Sequence, residues 1–418
     1  MSVTLSLHRG RSGFQSLQSE WESFACRYGT HFLHFPAWYG AELDHNGDVE
    51  VYFLTLREPS SSELLAVLPL QRCRCRVMGL EVPILQMYYS SEMGVNDVLS
   101  REPLHGHWQS IRRFLSREIP LFLFMRWQCV LENGWAITAA PSLADVRYTH
   151  HSKYLGFAEG YDKFMETLTP KLRNDLHKKT RKLEQLGELR LEVRSNPGEL
   201  PHAFEQFLDV EDSGWKGKSG TSIRKEPKKE KYYRHLLEHY GRLGLCRINL
   251  LSLDGAPIAA QFGIEVGERL YLLKIGFQEQ LASHSPGGVL LFKMVEHLCQ
   301  HSPVRAINFI TEAAWCDRWH PSAIRAGVFY TDCDTYSSRM AVRLLQWGLR
   351  WREQRRASAA AKLREGLRAP RAGQSAPSRT AAWAESRPVP GEDAGVLSAA
   401  VPPSTPNPTR RPQGRPPS

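Results

Sequence analysis

Two short stretches of this 418-residue chain combine residue types that do chemistry. The first is GWKGKSGTSI, residues 214–223, which sets an aromatic, Trp215, beside a cation, Lys216, between glycines. It follows a helical-looking run, HAFEQFLDVEDS. One reading is a plain helix end, with Gly214 terminating the helix and Trp215 filling the core. The other is a loop that contacts a ligand. The second stretch is Ser285-Pro286-Gly287-Gly288-Val289-Leu290, at the start of an apolar run. Proline suits the first helical position, and glycines let a backbone approach a ligand closely. A helix N-terminus carries unpaired N–H groups and partial positive charge. This stretch is either a phosphate cradle or an ordinary loop-to-helix turn.

Other reactive residue types are less organised. The eight cysteines include no CxxC pair and no His/Cys cluster with zinc spacing, so no metal site is expected. Lys171, Arg173, Lys178, Lys179, Arg181 and Lys182 crowd one amphipathic segment, as a grip on an anion or as a solvated helix face. The formal charge is +10, but residues 343–418 hold +9 of it. Residues 1–342 are therefore nearly neutral, which argues against extended nucleic-acid binding. The N-terminus lacks a secretory apolar core and no apolar run is long enough to span a bilayer. A reduced cytoplasmic location is the expectation.

The elements that position these residues fall into a repeated order. EVYFLTL, ELLAVLPL and VPILQMYYS read as strands, HWQSIRRFLSRE as a helix and PLFLFMRW as a buried strand. Further along, CRINLLSL, PIAAQFGIEV and RLYLLKI read as a meander with turns at Asp254-Gly255 and Gly267-Glu268. A helix over residues 288–300 and the strand RAINFI follow. Both halves read β-β-β-α-β, so a duplicated α/β protein with mixed sheets is expected. Between the halves, residues 161–169 and PKLRNDLHKKTRKLEQLG read as helices, and LRLEV as a strand. The expected divisions are 1–150, 151–336, a basic amphipathic helix over 337–356 and a disordered Pro/Arg-rich tail over 357–418. In the helix, Met340, Leu344, Trp347 and Trp351 recur at helical spacing among arginines. Docking of that stripe on the body is the expectation, and peripheral contact with a membrane surface is the alternative.

The pieces LRNDLHKKTRKLEQLGELRLEV, FLDVEDSGWKGKSGTSI, SPGGVLLFKMVEH and INFITEAAWCDRW resemble, in order and spacing, the GNAT-superfamily acetyltransferase-like proteins. The branch is the cellulose-biosynthesis acetyltransferase-like one, related to the Fem-type double-GNAT transferases. The resemblance covers approximately residues 15–345. It implies two tandem GNAT-like domains and transfer of an acyl group from acyl-CoA, such as acetyl-CoA, to an amine. The acceptor would be an amino sugar or another saccharide amine in polysaccharide or cell-envelope synthesis.

On that basis Lys274, Ser285, Gly287, Gly288 and Val289 would hold the donor, with an oxyanion donor from the backbone of residues 273–276. Trp215, Lys216, Tyr271 and Trp315 would contact the acceptor. Lys216 would be an anion or acceptor contact rather than a base, since an ordinary lysine is protonated near neutral pH. Glu265, Glu312 and Asp317 are the candidate proton acceptors, with Glu211 beside the opening loop as another. Each also reads as an ordinary surface carboxylate.

The chain departs from the resemblance in one place. Where relatives commonly carry a Gly-Asp-Glu-x-Tyr-Lys type stretch, this one has TEAAWCDRW, residues 311–319, with Cys316 at the lysine position. Cys316 reads as a buried thiol or a nucleophile. Two further readings are open, the first of them supported by this departure. One is a degenerate scaffold of an exopolysaccharide machine. The other is a Fem-like aminoacyl-tRNA-dependent transferase, supported locally by the lysine-rich residues 224–234.

Overall fold

The computed structural model describes residues 3–47, 50–77, 79–312 and 314–368. The chain divides into two compact units. The larger comprises residues 1–72 and 84–342, and the smaller comprises 73–83 and the chain from 343 onward. The expected tail from 369 lies outside the described residues.

The strands are β1 (Thr4–Arg9), β2 (Val51–Arg57), β3 (Leu64–Val77), β4 (Leu80–Met87), β5 (Leu99–Ser100), β6 (Phe124–Leu131), β7 (Arg147–Gly156), β8 (Leu189–Arg194), β9 (Cys246–Leu253), β10 (Ala256–Val266), β11 (Arg269–Phe277), β12 (Ala306–Asn308) and β13 (Ser322–Asp332). They form one mixed sheet in the order β1-β2-β3-β4-β6-β13-β7-β12-β11-β10-β9-β8, with β5 on β3. The helices are α1 (Gly10–Tyr28), α2 (Pro36–Asn46), α3 (Trp108–Glu118), α4 (Tyr161–Thr167), α5 (Pro170–Glu184), α6 (Leu200–Ser213), α7 (Trp215–Ser219), α8 (Pro227–Arg242), α9 (Pro286–His301) and α10 (Tyr336–Arg368).

The repeated order is present as β2-β3-β4-α3-β6 and β9-β10-β11-α9-β12. Each meander ends in a parallel pair across its helix: β4 with β6 at Leu85–Met125, and β11 with β12 at Leu270–Ile307. Asp254 and Gly255 both take positive φ, as a tight two-residue hairpin turn requires. Two strands absent from the sequence reading, β7 and β13, join the halves. Strand β13, at the end of the second half, lies antiparallel to β6 of the first. Strand β7, which follows the first half, lies antiparallel to β12 of the second. The halves thus exchange their closing strands, and residue 150 falls inside β7 rather than in a linker.

The two V-shaped openings beside the parallel pairs differ. In the first half, Asn96 passes through the opening: its N–H donates to Cys129 O at 2.7 Å and its O accepts from Leu131 N at 3.1 Å. Its side chain donates to Tyr88 O at 2.7 Å. The neighbouring Asp97 is buried and accepts from Ala136 N at 2.9 Å and pairs with His34 Nε2 at 3.1 Å. The first half is therefore plugged by its own chain. In the second half, β12 stops after three paired residues. Asn308 Oδ1 accepts from Ile310 N at 2.6 Å, and Ile310 sits at φ 65°, a costly conformation for a β-branched residue. The chain turns sharply away from β11 there and the V stays open.

The helices form as their residues dictate. In α5, Pro170 opens the first turn and Thr169 caps it through Oγ1, accepting from Leu172 N at 3.2 Å. Its Leu172, Leu176 and Leu183 are buried and its cations face outward. Helix α9 buries Val289, Leu290, Leu291, Phe292, Met294, Val295 and Leu298. Each such side chain contributes about 1.5–3 kcal/mol. The glycine-rich stretch after α6 is not a loop but one short helical turn, α7.

In the smaller unit, Leu344, Trp347 and Trp351 of the α10 stripe are 41%, 63% and 43% exposed. The helix also runs past Arg356, to Arg368.

Helix α6 lies so close to β11 that a Cβ on Gly276 would stand 2.8 Å from Glu211 Cα. Gly276→Ala should therefore cost about 1–3 kcal/mol, read as a lower thermal and urea midpoint. An unchanged midpoint would show that α6 yields freely.

Candidate functional site

Between β11 and the chain after β12 lies a cleft of about 540 Å³. One wall is β11 itself. Its pairing with β10 continues to Phe277, but its pairing with β12 ends at Tyr271. The edge from Leu272 onward is therefore left without a strand partner on the cleft side. A bulge adds to this: Phe262 faces Lys274 and Gly263 faces Leu272, so Leu273 is the extra residue. The expected oxyanion donors, residues 273–276, all line the cleft.

The floor is the start of α9. Ser285 occupies the left-handed region and its O accepts from Val289 N at 3.0 Å, with no side-chain cap. The first-turn N–H groups of Gly287 and Gly288 have no acceptor within the helix. Neither residue needs to be glycine for the protein's own sake. Neither has positive φ, and added Cβ atoms would meet their nearest neighbours at an ordinary 3.6 and 3.8 Å. Both face the cleft. The missing side chains keep open the space in front of two N–H donors.

Two lysines enter from the other face of β11. Lys216 Nζ donates to Glu211 Oε1 at 2.9 Å and to Ile275 O at 3.2 Å. Glu211 is 2% exposed and also accepts from Ile223 N at 2.8 Å. The motif glycines serve this placement: a Cβ on Gly217 would overlap the Asp212 carbonyl. Lys274 Nζ lies 3.1 Å from Glu92 Oε2 and 5.3 Å from the centre of the Tyr233 ring. Burial lowers the Lys274 pKa, opposed by Glu92. For Glu92, burial works upward, but the Lys274 ammonium and the Tyr233 hydroxyl, 2.6 Å away, outweigh it and hold the carboxyl below its ordinary value. Glu92 belongs to the segment leading into the plug of the first half.

The structure brings together Lys216, Lys274, Ser285, Gly287, Gly288 and Trp315. Trp315 is 43% exposed and stands edge-on to Phe309 at 5.1 Å. Other expectations are corrected. Glu265 does not line the cleft; it pairs with Arg247 at 2.6 Å. Glu312 and Asp317 point away from it, to His151 and Lys153, each at 2.5 Å. Glu211 is the carboxylate that does line it. Tyr271 is fully buried against His31 and Phe32 and donates to Thr30 O at 3.1 Å, and Val289 is core. The Trp215 side chain lies outside the described residues. Cys316 is buried, and burial raises its pKa, so it is no thiolate nucleophile. Glu92 and Arg318 are site residues the sequence reading missed. No local pattern marks Glu92, whose partner lies far along the chain.

Residues 170–319 match the family described as "Acetyltransferase (GNAT) domain", which spans α5, the Trp-Lys turn, the meander and the cleft. No curated protein matches the chain. Among solved structures, FemX is similar at 11% identity and a TM-score of 0.48, over 75% of this chain and 96% of that one. The C-terminal domain of a putative lysylphosphatidylglycerol synthetase from Agrobacterium fabrum is similar at 12% identity and a TM-score of 0.47, over 80% and 96%. A tandem GNAT protein from the clavulanic acid biosynthesis pathway is similar at 11% identity and a TM-score of 0.39, over 79% and 99%. No helix among the described residues is long and apolar enough to cross a membrane.

The Glu92–Lys274 pair sets a pH dependence. A carboxyl held below its ordinary value stabilises the fold above about pH 4.5, and that contribution is lost as pH falls through the folded-state value. Glu92→Gln should lower the urea midpoint at pH 7, and the gap to wild type should close below about pH 4.5. A gap that persists unchanged into acid would show that the carboxylate charge is not what matters.

Proposed function

We propose that the protein is an acyl-CoA-dependent N-acyltransferase working from the cleft of its second half. The observation that carries this is the pair of uncapped Gly287 and Gly288 N–H groups, facing a cleft beside the open edge of β11. A pyrophosphate needs such donors at a helix N-terminus. An extended pantetheine arm needs an unpaired strand edge. The fit is to the donor as a bound substrate, which supplies an activated thioester carbonyl.

The chain's own groups have separate tasks. Backbone N–H groups within residues 273–276 polarise the carbonyl and stabilise the oxyanion as the amine adds. The new bond is C–N, the bond that breaks is C–S, and the sulfur leaves as the thiol. Glu211, the carboxylate lining the cleft, takes the proton the amine loses. Lys216 holds Glu211 and the Ile275 carbonyl in place. Cys316, at the position where relatives have lysine, takes no part.

The acceptor is proposed to be an amino sugar or a related saccharide amine, with the exposed Trp315 ring as its wall. A place in polysaccharide or cell-envelope synthesis, in the cellulose-biosynthesis acetyltransferase-like branch, accords with the sequence motifs. The alternative use of an aminoacyl-tRNA has less local support than the sequence suggests. Arg224 pairs with Glu205 and Asp209, Arg234 with Glu205 and Glu230, and Lys229 with Glu226. Arg224 and Arg234 tie the start of α8 to α6, while Lys225, Lys228 and Lys231 of the same stretch are exposed. A degenerate scaffold would bind acyl-CoA without turnover.

Calorimetric titration with acetyl-CoA and longer acyl-CoAs should show binding. Absence of binding to all of them at millimolar ligand sinks the proposal. Gly287→Val should weaken acyl-CoA binding at least tenfold, about 1.4 kcal/mol, while leaving the thermal midpoint near wild type. Unchanged affinity would move the phosphate site elsewhere.

A further inference from the structure

The smaller unit carries a surface that the cleft does not use. Its described stretches, residues 73–83 and 343–368, contain ten Lys/Arg against three acids. Within α10, Leu344, Trp347 and Trp351 follow at spacings of three and four and share one face. That face is open: Trp347 is 63% exposed. The opposite face is not: Val342 is buried, and Leu345 and Leu349 are half-buried. Leu344, Trp347 and Trp351 are thus the exposed apolar stripe of the helix. Exposed arginines Arg343, Arg350 and Arg355 border the stripe. Arg355 stacks over the Trp351 ring at 4.0 Å. Elsewhere in the same unit, the β3–β4 hairpin tip exposes Arg74, Arg76 and Leu80, the last at 72%.

We propose that this stripe lies on the surface of an anionic lipid bilayer. Tryptophan is favoured where one side of a ring meets hydrocarbon and the other meets headgroups, and arginines beside it meet lipid phosphates. The concentration of positive charge around an apolar stripe complements an anionic surface that also has an apolar interior. A nucleic acid would satisfy the charges but not the stripe. A second copy of the chain would satisfy the stripe but set like charges against each other.

The full chain should co-sediment with vesicles of phosphatidylcholine containing one quarter phosphatidylglycerol, and not with phosphatidylcholine alone. Its tryptophan emission should shift to the blue on binding. Trp347→Ser with Trp351→Ser should reduce vesicle partitioning at least tenfold, with the circular dichroism spectrum unchanged. Arg343→Gln with Arg350→Gln should weaken binding and flatten its salt dependence. Three outcomes overturn the proposal: no sedimentation with anionic vesicles; sedimentation indifferent to the double tryptophan variant; or a wild-type dimer that this variant turns into monomers without any vesicle binding. Retention of tRNA without vesicle binding overturns it as well.

Discussion

Strand β11 is gripped by β12 for only three residues, and the cleft depends on that brevity. A longer parallel pairing would satisfy the β11 edge with β12 and leave no donors for a ligand. The divergence is enforced locally. Asn308 takes the Ile310 N–H, and Ile310 accepts a backbone conformation that β-branched residues avoid. The strain is tolerable because Ile310 is also buried in the core. Everything attributed to the site, from the α9 amides to the Lys216–Glu211 pair, is arranged around that fork.

The duplication gives the same fork to both halves, and the chain uses them differently. In the first half Asn96 bridges the gap, its backbone bonded to Cys129 and Leu131 of β6 and its side chain to Tyr88 O beyond β4, which makes it scaffold. The segment before the plug then reaches the second half, where Glu92 meets Lys274. One half has given up its cleft and contributes a carboxylate to the other. The pair is half-buried: alone, either charge would bear part of the cost of desolvation, and together with the Tyr233 hydroxyl they are satisfied.

Much of this was legible in the sequence because it is local. Hairpin turns at Asp254-Gly255, the Pro170 helix start and the Pro286-Gly287-Gly288 entry into α9 are set by φ preferences and first-turn chemistry. Glu211 was named from its place beside the opening loop, but which carboxylate reaches the cleft was not legible, because that depends on strand register and on distant partners. Glu265 sits on a strand next to the cleft wall but is claimed by Arg247. Glu312 is one residue from cleft-lining Thr311 yet turns to His151. Strands β7 and β13 were missed because each is defined by neighbours far away in the chain. The Leu344-Trp347-Trp351 stripe was read correctly as a stripe, but periodicity says only that a face exists, not what covers it.

The exchange of closing strands has a consequence for how the protein is made. Strand β6 emerges early in synthesis, but its neighbour β13 lies near the end of the folded body. Until β13 arrives, the first half presents an unpaired, largely buried-type strand edge to its surroundings. The halves therefore cannot mature one after the other on the ribosome, as tandem domains usually do. Only once β13 has been made is that edge of β6 covered. The duplication has become, in assembly as well as in architecture, a single cooperative object.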